Sequence, residues 1–239
     1  MKIILLCAGK SRRTNLGYPK CLYKFNDGEM LIEKSLKILR NCGFKNNQIY
    51  FATGFKSKLI KIKTLDKYKY IFNKNFNSTN MVYSFNQVLK KIKSDETIVI
   101  YSDILFEKKC LSKIIKSKYS ISTVIDTDWK KKWKKKSNFL NDLEVLKINK
   151  GKIYSLGEKT LRFENIDGRF LGITKFSKKM IINLKKRLVS KILQNNKKID
   201  FTNFLMELIK NNFEINAISE KFSWHEFDTP KDFKNFRKI

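Results

Sequence analysis

The sequence holds a single histidine, two prolines, nine glycines and four cysteines in 239 residues, and only 22 acidic side chains stand against 52 lysines and arginines. Each scarcity closes off a class of protein. One histidine, with cysteines at 7, 21, 42 and 110 and no C-x-x-C pair, supplies neither a zinc set nor a disulfide framework, and reduced thiols fit a cytoplasmic setting. So few prolines and glycines exclude collagen-like and low-complexity chains, while 42% apolar and 13% aromatic residues exclude intrinsic disorder in spite of the charge. The longest apolar run near the start, residues 3–8, is too short for a signal-peptide core or a bilayer span. With no linker, repeat or composition shift to divide it, the chain is expected to form one domain, 1–239.

The formal charge is +30. Arginine occurs only at 12, 13, 40, 162, 169, 187 and 237, so the excess is almost all lysine. Scattered lysines raise attraction to any polyanion without making a reading head, because bidentate recognition depends on arginine. A non-enzymatic basic nucleic-acid-binding protein is the rival reading from another class, favoured by the charge and by the lysines of 130–136 interrupted by Trp133. No binding module or RNP-type aromatic motif supports it.

Hydrophobic patterning predicts alternating strands and helices. Residues 2–8 read as a buried strand, 30–42 as a helix stopped by Gly43, and 48–52 as a second strand, which together make a βαβ unit. Strand 70–72, helix 81–92, strand 97–101 and strand 122–125 continue the series. Segments 143–148 and 152–156 flank Asn149-Lys150-Gly151 like a hairpin, and a second pair is expected at 170–176. Helix 201–210, strand 213–218, the run 224–228 and a final helix with Thr229 as N-cap and Pro230 at its first position complete the chain. The expected class is α/β, a Rossmann-like three-layer sandwich with a mostly parallel mixed sheet and a small antiparallel accessory region.

Chemistry concentrates in a few places. Ala8, Gly9, Lys10, Ser11, Arg12 and Arg13 follow the first strand, where a small-residue loop lets backbone N–H groups approach phosphates, and Arg13 with Lys20 supplies cations. The bland alternative is a basic surface turn. Thr79, Asn80 and Ser84 stand at a helix start, where the first two serve equally well as caps or as contacts to a base or ribose. Ser102 and Asp103 end the strand 97–101, and ligands collect outside the carboxyl ends of parallel strands, although a lone Asp there also suits a turn. Glu226 and Asp228, two apart in an expected strand, share a face, with His225 and Phe227 on the other. If that strand ends beside Asp103, three carboxylates converge on Mg²⁺. His225 is read as structural or exposed. Trp129 and Trp133 lie one helical turn apart near Asp126, and read either as packing anchors or as an aromatic wall for an ammonium group.

The run from Leu6 to Arg13 with Pro19-Lys20 resembles the L-x-A-G-x-G-x-R…P-K signature of the nucleoside-diphosphate-sugar pyrophosphorylase superfamily of nucleotidyltransferases, with Ser11 where many members carry the second glycine. Asn77-Ser-Thr-Asn-Met-Val-Tyr-Ser84 is similar to phosphocholine cytidylyltransferases and their relatives. Asp126, Trp129 and Trp133, together with Asp142, Glu144 and Arg169, resemble the corresponding segments of bacterial cytidylyltransferases linked to phosphocholine, aminophosphonate or capsule phosphoramidate, the last using an amide-phosphorylated glutamine. The resemblance implies CTP as donor, a small anionic phosphorylated acceptor, and Mg²⁺ on Asp103, Glu226 and Asp228. It further implies nucleotide contacts from residues 8–13, Lys20, Thr79, Asn80, Ser84 and Ser102, catalytic roles for Arg13, Lys20 and Asp103, and acceptor contacts from the remaining set. A sugar-1-phosphate or molybdenum-cofactor nucleotidyltransferase is the alternative within the class. A homodimer is compatible with the chain, and neither a membrane nor a specific nucleic acid is expected as partner.

Overall fold

The computed structural model describes residues 1–133, 143–234 and 236, the side chain of Trp133 excepted. The chain runs through β1 (Lys2–Cys7), α1 (Leu31–Asn41), β2 (Ile49–Thr53), α2 (Ser57–Lys63), β3 (Lys69–Phe72), α3 (Met81–Leu89), β4 (Thr97–Tyr101), β5 (Ile104–Phe106), α4 (Lys108–Lys116), β6 (Ile121–Asp126) and α5 (Trp129–Trp133). It continues with β7 (Glu144–Asn149), β8 (Lys152–Lys159), β9 (Arg169–Phe176), α6 (Lys178–Asn183), α7 (Val189–Asn195), α8 (Phe201–Lys210), β10 (Ile215–Glu220), β11 (Trp224–Glu226) and α9 (Pro230–Lys234). Among the described residues, nine strands form one sheet in the order β3-β2-β1-β4-β9-β6-β10-β8-β7. β3, β2, β1 and β4 are mutually parallel and β6 runs parallel to β10, while β9 lies antiparallel between β4 and β6. The expected fold class holds.

Both faces of the sheet are covered, which is why β1 reads as an unbroken apolar run rather than an alternating one. Ile3, Leu5 and Cys7 pack on one side with Ile32, Leu36 and Leu39 of α1 and Leu111 and Ile114 of α4. Ile4 and Leu6 pack on the other with Val82, Phe85 and Val88 of α3 and Phe201, Phe204 and Leu208 of α8. Each such buried side chain contributes about 1.5–3 kcal/mol. Polar side chains fix where helices begin: Asn80 accepts from Met81 N at 2.9 Å and Asp200 from Asn203 N at 2.8 Å.

Three expectations change. Residues 170–176 are no pair of strands but part of β9, which lines up Ile173 with Ile100 of β4 and Thr174 with Thr123 of β6. Gly172 makes that insertion possible, since its φ is +73° and a Cβ would meet the Tyr101 ring at 2.5 Å. Asn149-Lys150-Gly151 does close a hairpin, with φ positive at both central residues (46° and 77°), as a type I′ turn requires. The other two concern β11, which stops at Glu226, so Asp228 lies beyond the strand, and which pairs antiparallel with β5, an element the patterning does not predict. A small cluster of Leu31, Leu105, Phe227 and Phe233 holds this two-stranded sheet against α1 and α9.

Candidate active site

β1 and β4 are adjacent and parallel, so their carboxyl ends open side by side at the centre of the sheet. The chain leaves β1 through Ala8 and Gly9 and turns at Ser11, whose φ of 56° and ψ of 33° are left-handed. That is the conformation glycine takes freely and an L-residue takes at a cost of about 1–2 kcal/mol, which accounts for glycine at this place in the resembling signature. The serine has its own compensation: Ser11 Oγ accepts from Lys20 N at 2.8 Å, while Thr14 Oγ1 donates to Ser11 O at 2.7 Å. The loop is thereby tied to Pro19-Lys20. On its other side Gly54 admits a close approach, because a Cβ there would lie 2.6 Å from Phe76 Cβ and 2.7 Å from Ala8 O.

A cavity of about 260 Å³ lies between the loop, the start of α3 and the end of β4. Of the residues expected to contact nucleotide, Ala8, Gly9, Ser11, Arg12, Arg13, Lys20, Thr79, Asn80, Ser84 and Ser102 line it, and Asp103 lines it with them. Lys10 stands outside the lining with its ammonium 5.8 Å from the Phe76 ring centre. Asn80 is cap and wall at once, so the two readings of that residue coexist. Buried Asn73 donates to both Thr79 Oγ1 and Ser84 Oγ at 3.0 Å, and Ser102 Oγ donates to Leu6 O at 2.6 Å, so these hydroxyls are held in place. Phe76, Met81 and Tyr101 also line the cavity and were missed. Tyr101 was findable, being the last residue of a predicted central strand, whereas nothing in the pattern marks Phe76.

The charged centre is a four-residue knot. Lys20 Nζ lies 3.0 Å from Asp103 Oδ2 and 2.8 Å from Asp228 Oδ1, and Arg13 Nη2 lies 2.8 Å from the same Asp228 oxygen. Asp103 and Asp228 are brought together by the β5–β11 pairing, continued by Phe227 N donating to Asp103 O at 2.9 Å. Asp232 Oδ2 then accepts from Asp228 N at 2.9 Å and from Thr229 N and Oγ1, fixing the turn into α9. Burial alone would pull the Lys20 ammonium down, but the carboxylates of Asp103 and Asp228 outweigh it and hold its pKa well above the ordinary lysine value. Burial pushes the Tyr101 phenol well up, and the carboxylates of Asp200, Asp103, Glu144 and Glu226 add to the shift. Its hydroxyl is a neutral wall at working pH.

Among the described residues no group of three or more His, Cys, Asp or Glu side chains could hold a metal ion. The expected trio is therefore reduced to a pair, because Glu226 turns to Arg169, at 3.7 Å. The pair still suits Mg²⁺, which needs only one or two carboxylates beside phosphates and waters, and the Lys20 ammonium between Asp103 and Asp228 shows that both carboxylates reach one cation. His225 is structural: its ring packs 4.6 Å from that of Phe227, and Nε2 lies 3.1 Å from Asp232 O.

The acceptor set needs correction. Trp129 is 1% exposed and stacks on Phe163 with ring centres 6.0 Å apart, so it is core and cannot wall an open pocket. Asp126 is fully buried, and its oxygens accept from Phe222 N, Asp128 N, Trp224 Nε1 and Lys132 Nζ, which leaves it a structural hub with no face for a ligand. Glu144 pairs with Lys159 at 3.6 Å, and both Glu144 and the Arg169–Glu226 pair remain partly exposed. Asp142 and the side chain of Trp133 lie outside the described residues.

Residues 3–133 match the family model described as the MobA-like NTP transferase domain. The chain is 29% identical over 252 aligned positions to the CTP:phosphoglutamine cytidylyltransferase of Campylobacter jejuni, covering 98% of each protein. Among solved structures it is similar to the inositol-1-phosphate CTP transferase of T. maritima, with a TM-score of 0.76 at 18% identity over 97% of this chain and 90% of that one. It is likewise similar to the CTP:phosphocholine cytidylyltransferase of Streptococcus pneumoniae, with a TM-score of 0.70 at 19% identity over 98% and 96%.

Proposed function

The chain belongs to the MobA-like NTP transferase domain family, and we propose that within it this protein transfers CMP from CTP to a small phosphorylated acceptor of the phosphoglutamine kind, releasing pyrophosphate. The observation that carries the reading is the knot of Arg13, Lys20, Asp103 and Asp228 at the mouth of the loop after β1. The choice of donor and acceptor is supported by the likeness to a phosphoglutamine cytidylyltransferase over nearly the whole of both chains.

The nucleophile is already an anion, so the reaction asks little of acids and bases. An oxygen of the acceptor phosphate forms a bond to the α-phosphorus of CTP as the bond from that phosphorus to the bridging β-phosphate oxygen breaks, and the electron pair leaves with pyrophosphate. What the protein must supply is alignment of two polyanions and stabilisation of the charge that grows on the leaving group. The backbone N–H groups of residues 9–11 would meet a triphosphate at the loop, and Arg13 and Lys20 would contribute positive charge on its flank. Asp103 and Asp228 would hold Mg²⁺, which when bound neutralises triphosphate oxygens. Near Tyr101, Glu144 and the Arg169–Glu226 pair would offer opposite charges to the two ends of an amino-acid acceptor.

The test is pyrophosphate release in Mg²⁺ buffer with each of the four NTPs against phosphoglutamine, phosphocholine, 2-aminoethylphosphonate and several sugar 1-phosphates. Turnover confined to CTP with phosphoglutamine is expected. Turnover only with a sugar phosphate would replace the substrate, and silence with every pair, alongside salt-sensitive RNA binding, would overturn the enzymatic reading.

A further inference from the structure

Each carboxylate of the centre has a cation against it. Lys20 touches both Asp103 and Asp228, and Arg13 touches Asp228. The cations are not equivalent. Arg13 lies on the solvent side with 60% of its side chain exposed, whereas Lys20 is 12% exposed and bridges the two carboxylates from within. Its backbone is fixed by the bond from Lys20 N to Ser11 Oγ, so only the flexible four-carbon stem can move the ammonium.

We propose that Lys20 is a resident placeholder cation: in the nucleotide-free protein its ammonium fills the position between Asp103 and Asp228 that a divalent ion takes, and the ion enters only when the triphosphate draws Lys20 out of the pair. This rests on the carboxylate pair being the metal-binding site of the proposed reaction. The physical reason is charge. A bare divalent ion arriving at the carboxylate pair meets a lysine ammonium in its place and an arginine at its edge, and must displace or repel both before the carboxylates can repay its desolvation. A triphosphate brings the missing negative charge and offers Lys20 new oxygens a side-chain swing away. Metal and nucleotide then bind with positive coupling, each raising the affinity of the other by the same factor. A protein with two unpaired carboxylates in this place would instead hold metal at rest and be less stable without it.

Lys20→Met keeps the length of the side chain and removes the charge. The experiment is titration of the nucleotide-free protein with Mn²⁺, following free ion by its electron paramagnetic resonance signal, with thermal unfolding measured in parallel. Lys20→Met is expected to bind Mn²⁺ more tightly than the unmodified protein by on the order of tenfold or more, and to gain Tm with Mn²⁺ where the unmodified protein does not. Adding Asp103→Asn to Lys20→Met should abolish the gain, which assigns it to this pair of carboxylates. Equal affinity in Lys20→Met and the unmodified protein overturns the proposal. If Lys20→Met fails to fold in metal-free buffer, recovery of folded protein on refolding with Mn²⁺ supports the proposal, and failure to recover at any Mn²⁺ concentration refutes it, since a divalent ion then cannot stand where the ammonium stood. None of these readouts uses turnover. A chain that behaves this way yet releases no pyrophosphate from CTP keeps the placeholder and loses the cytidylyltransferase reading.

Discussion

Replacing Asp126 separates a structural hub from a substrate contact. Its Oδ1 accepts from Phe222 N at 3.1 Å and Asp128 N at 3.2 Å, and its Oδ2 from Trp224 Nε1 at 2.8 Å and Lys132 Nζ at 2.6 Å. Asparagine is nearly the same shape, but whichever way its amide is turned, the NH₂ group meets two donors. One pair of bonds is lost and a donor faces a donor. Hydrogen bonds to a charged acceptor contribute about 1.5–3 kcal/mol each, and a buried group left unpaired costs about 1–3 kcal/mol. Lys132 is one-third exposed and can turn to water, so its share is discounted. The remaining groups, an indole N–H and two backbone N–H groups, put Asp126→Asn and Asp126→Ala alike at about 3–5 kcal/mol of lost stability. Even the lower figure lowers Tm by about 6–12 °C in a chain of this size. Urea and thermal unfolding of both variants measure it. Because Asp126 anchors Phe222 and Trp224 at the entry to β11, the loss should also weaken Mg²⁺- and CTP-dependent stabilisation. An Asp126→Asn protein within 1 kcal/mol of the unmodified one, with a raised KM for the acceptor alone, would refute the hub and restore the acceptor role that the sequence suggested.

Gly172→Ala meets both a φ of +73° and a Tyr101 ring 2.5 Å from the new Cβ, so denaturant unfolding should show a loss of about 1 kcal/mol or more together with reduced turnover, because Tyr101 lines the cavity. Arg169→Ala should raise the acceptor KM and leave that for CTP nearly unchanged in steady-state assays, and an equal rise in both would place Arg169 elsewhere in the mechanism. Lys20 has a folded-state pKa raised above its unfolded one, so the stability it contributes is complete below the ordinary lysine value and is lost only as pH rises through the higher folded one. The stability difference between Lys20→Met and the unmodified protein should therefore be flat from about pH 6 to pH 9, and a decline across that window would contradict the pairing.

The parallel half of the fold was legible because its strands are covered on both faces and announce themselves as apolar runs: β1 and β4 were placed to within a residue, and with them the loop and Asp103. Periodicity is silent where an element is short or its neighbours are remote. β5 is three residues long, and its partner β11 lies more than a hundred residues away, so the contact that carries Asp228 to Asp103 has no local signature. Alternation within the run 224–228 assumed a strand through Asp228, whereas the chain turns after Glu226 under the hold of Asp232. Of the two readings of Trp129 the packing anchor is the one the structure shows, and Asp126 is no acceptor contact, for a related reason. An aromatic flanked by lysines looks exposed in a sequence, and only the stacking of Phe163 and the inward bonds of Phe222 and Trp224 show both side chains buried.

The charge of +30 and the pairing of the central carboxylates with Lys20 and Arg13 are parts of one account. Two carboxylates that were to bind a metal would repel the triphosphate the metal accompanies, and distant lysines would do little about it, since their influence fades within about 8 Å at physiological salt. Local cations have to do that work, and they must do it without filling the phosphate site themselves. Lys20 and Arg13 meet both demands by spending the nucleotide-free state on Asp103 and Asp228, while Arg12 on the cavity wall and Lys10 above Phe76 extend positive charge toward solvent. The ion pairs that join Lys20 and Arg13 to Asp103 and Asp228 are thus made of the groups that the substrate and its metal would claim, so binding would exchange partners instead of desolvating new charges. By that logic the positions of Lys20 and Arg13 in the nucleotide-free protein belong to the binding mechanism as much as to the stability of the fold.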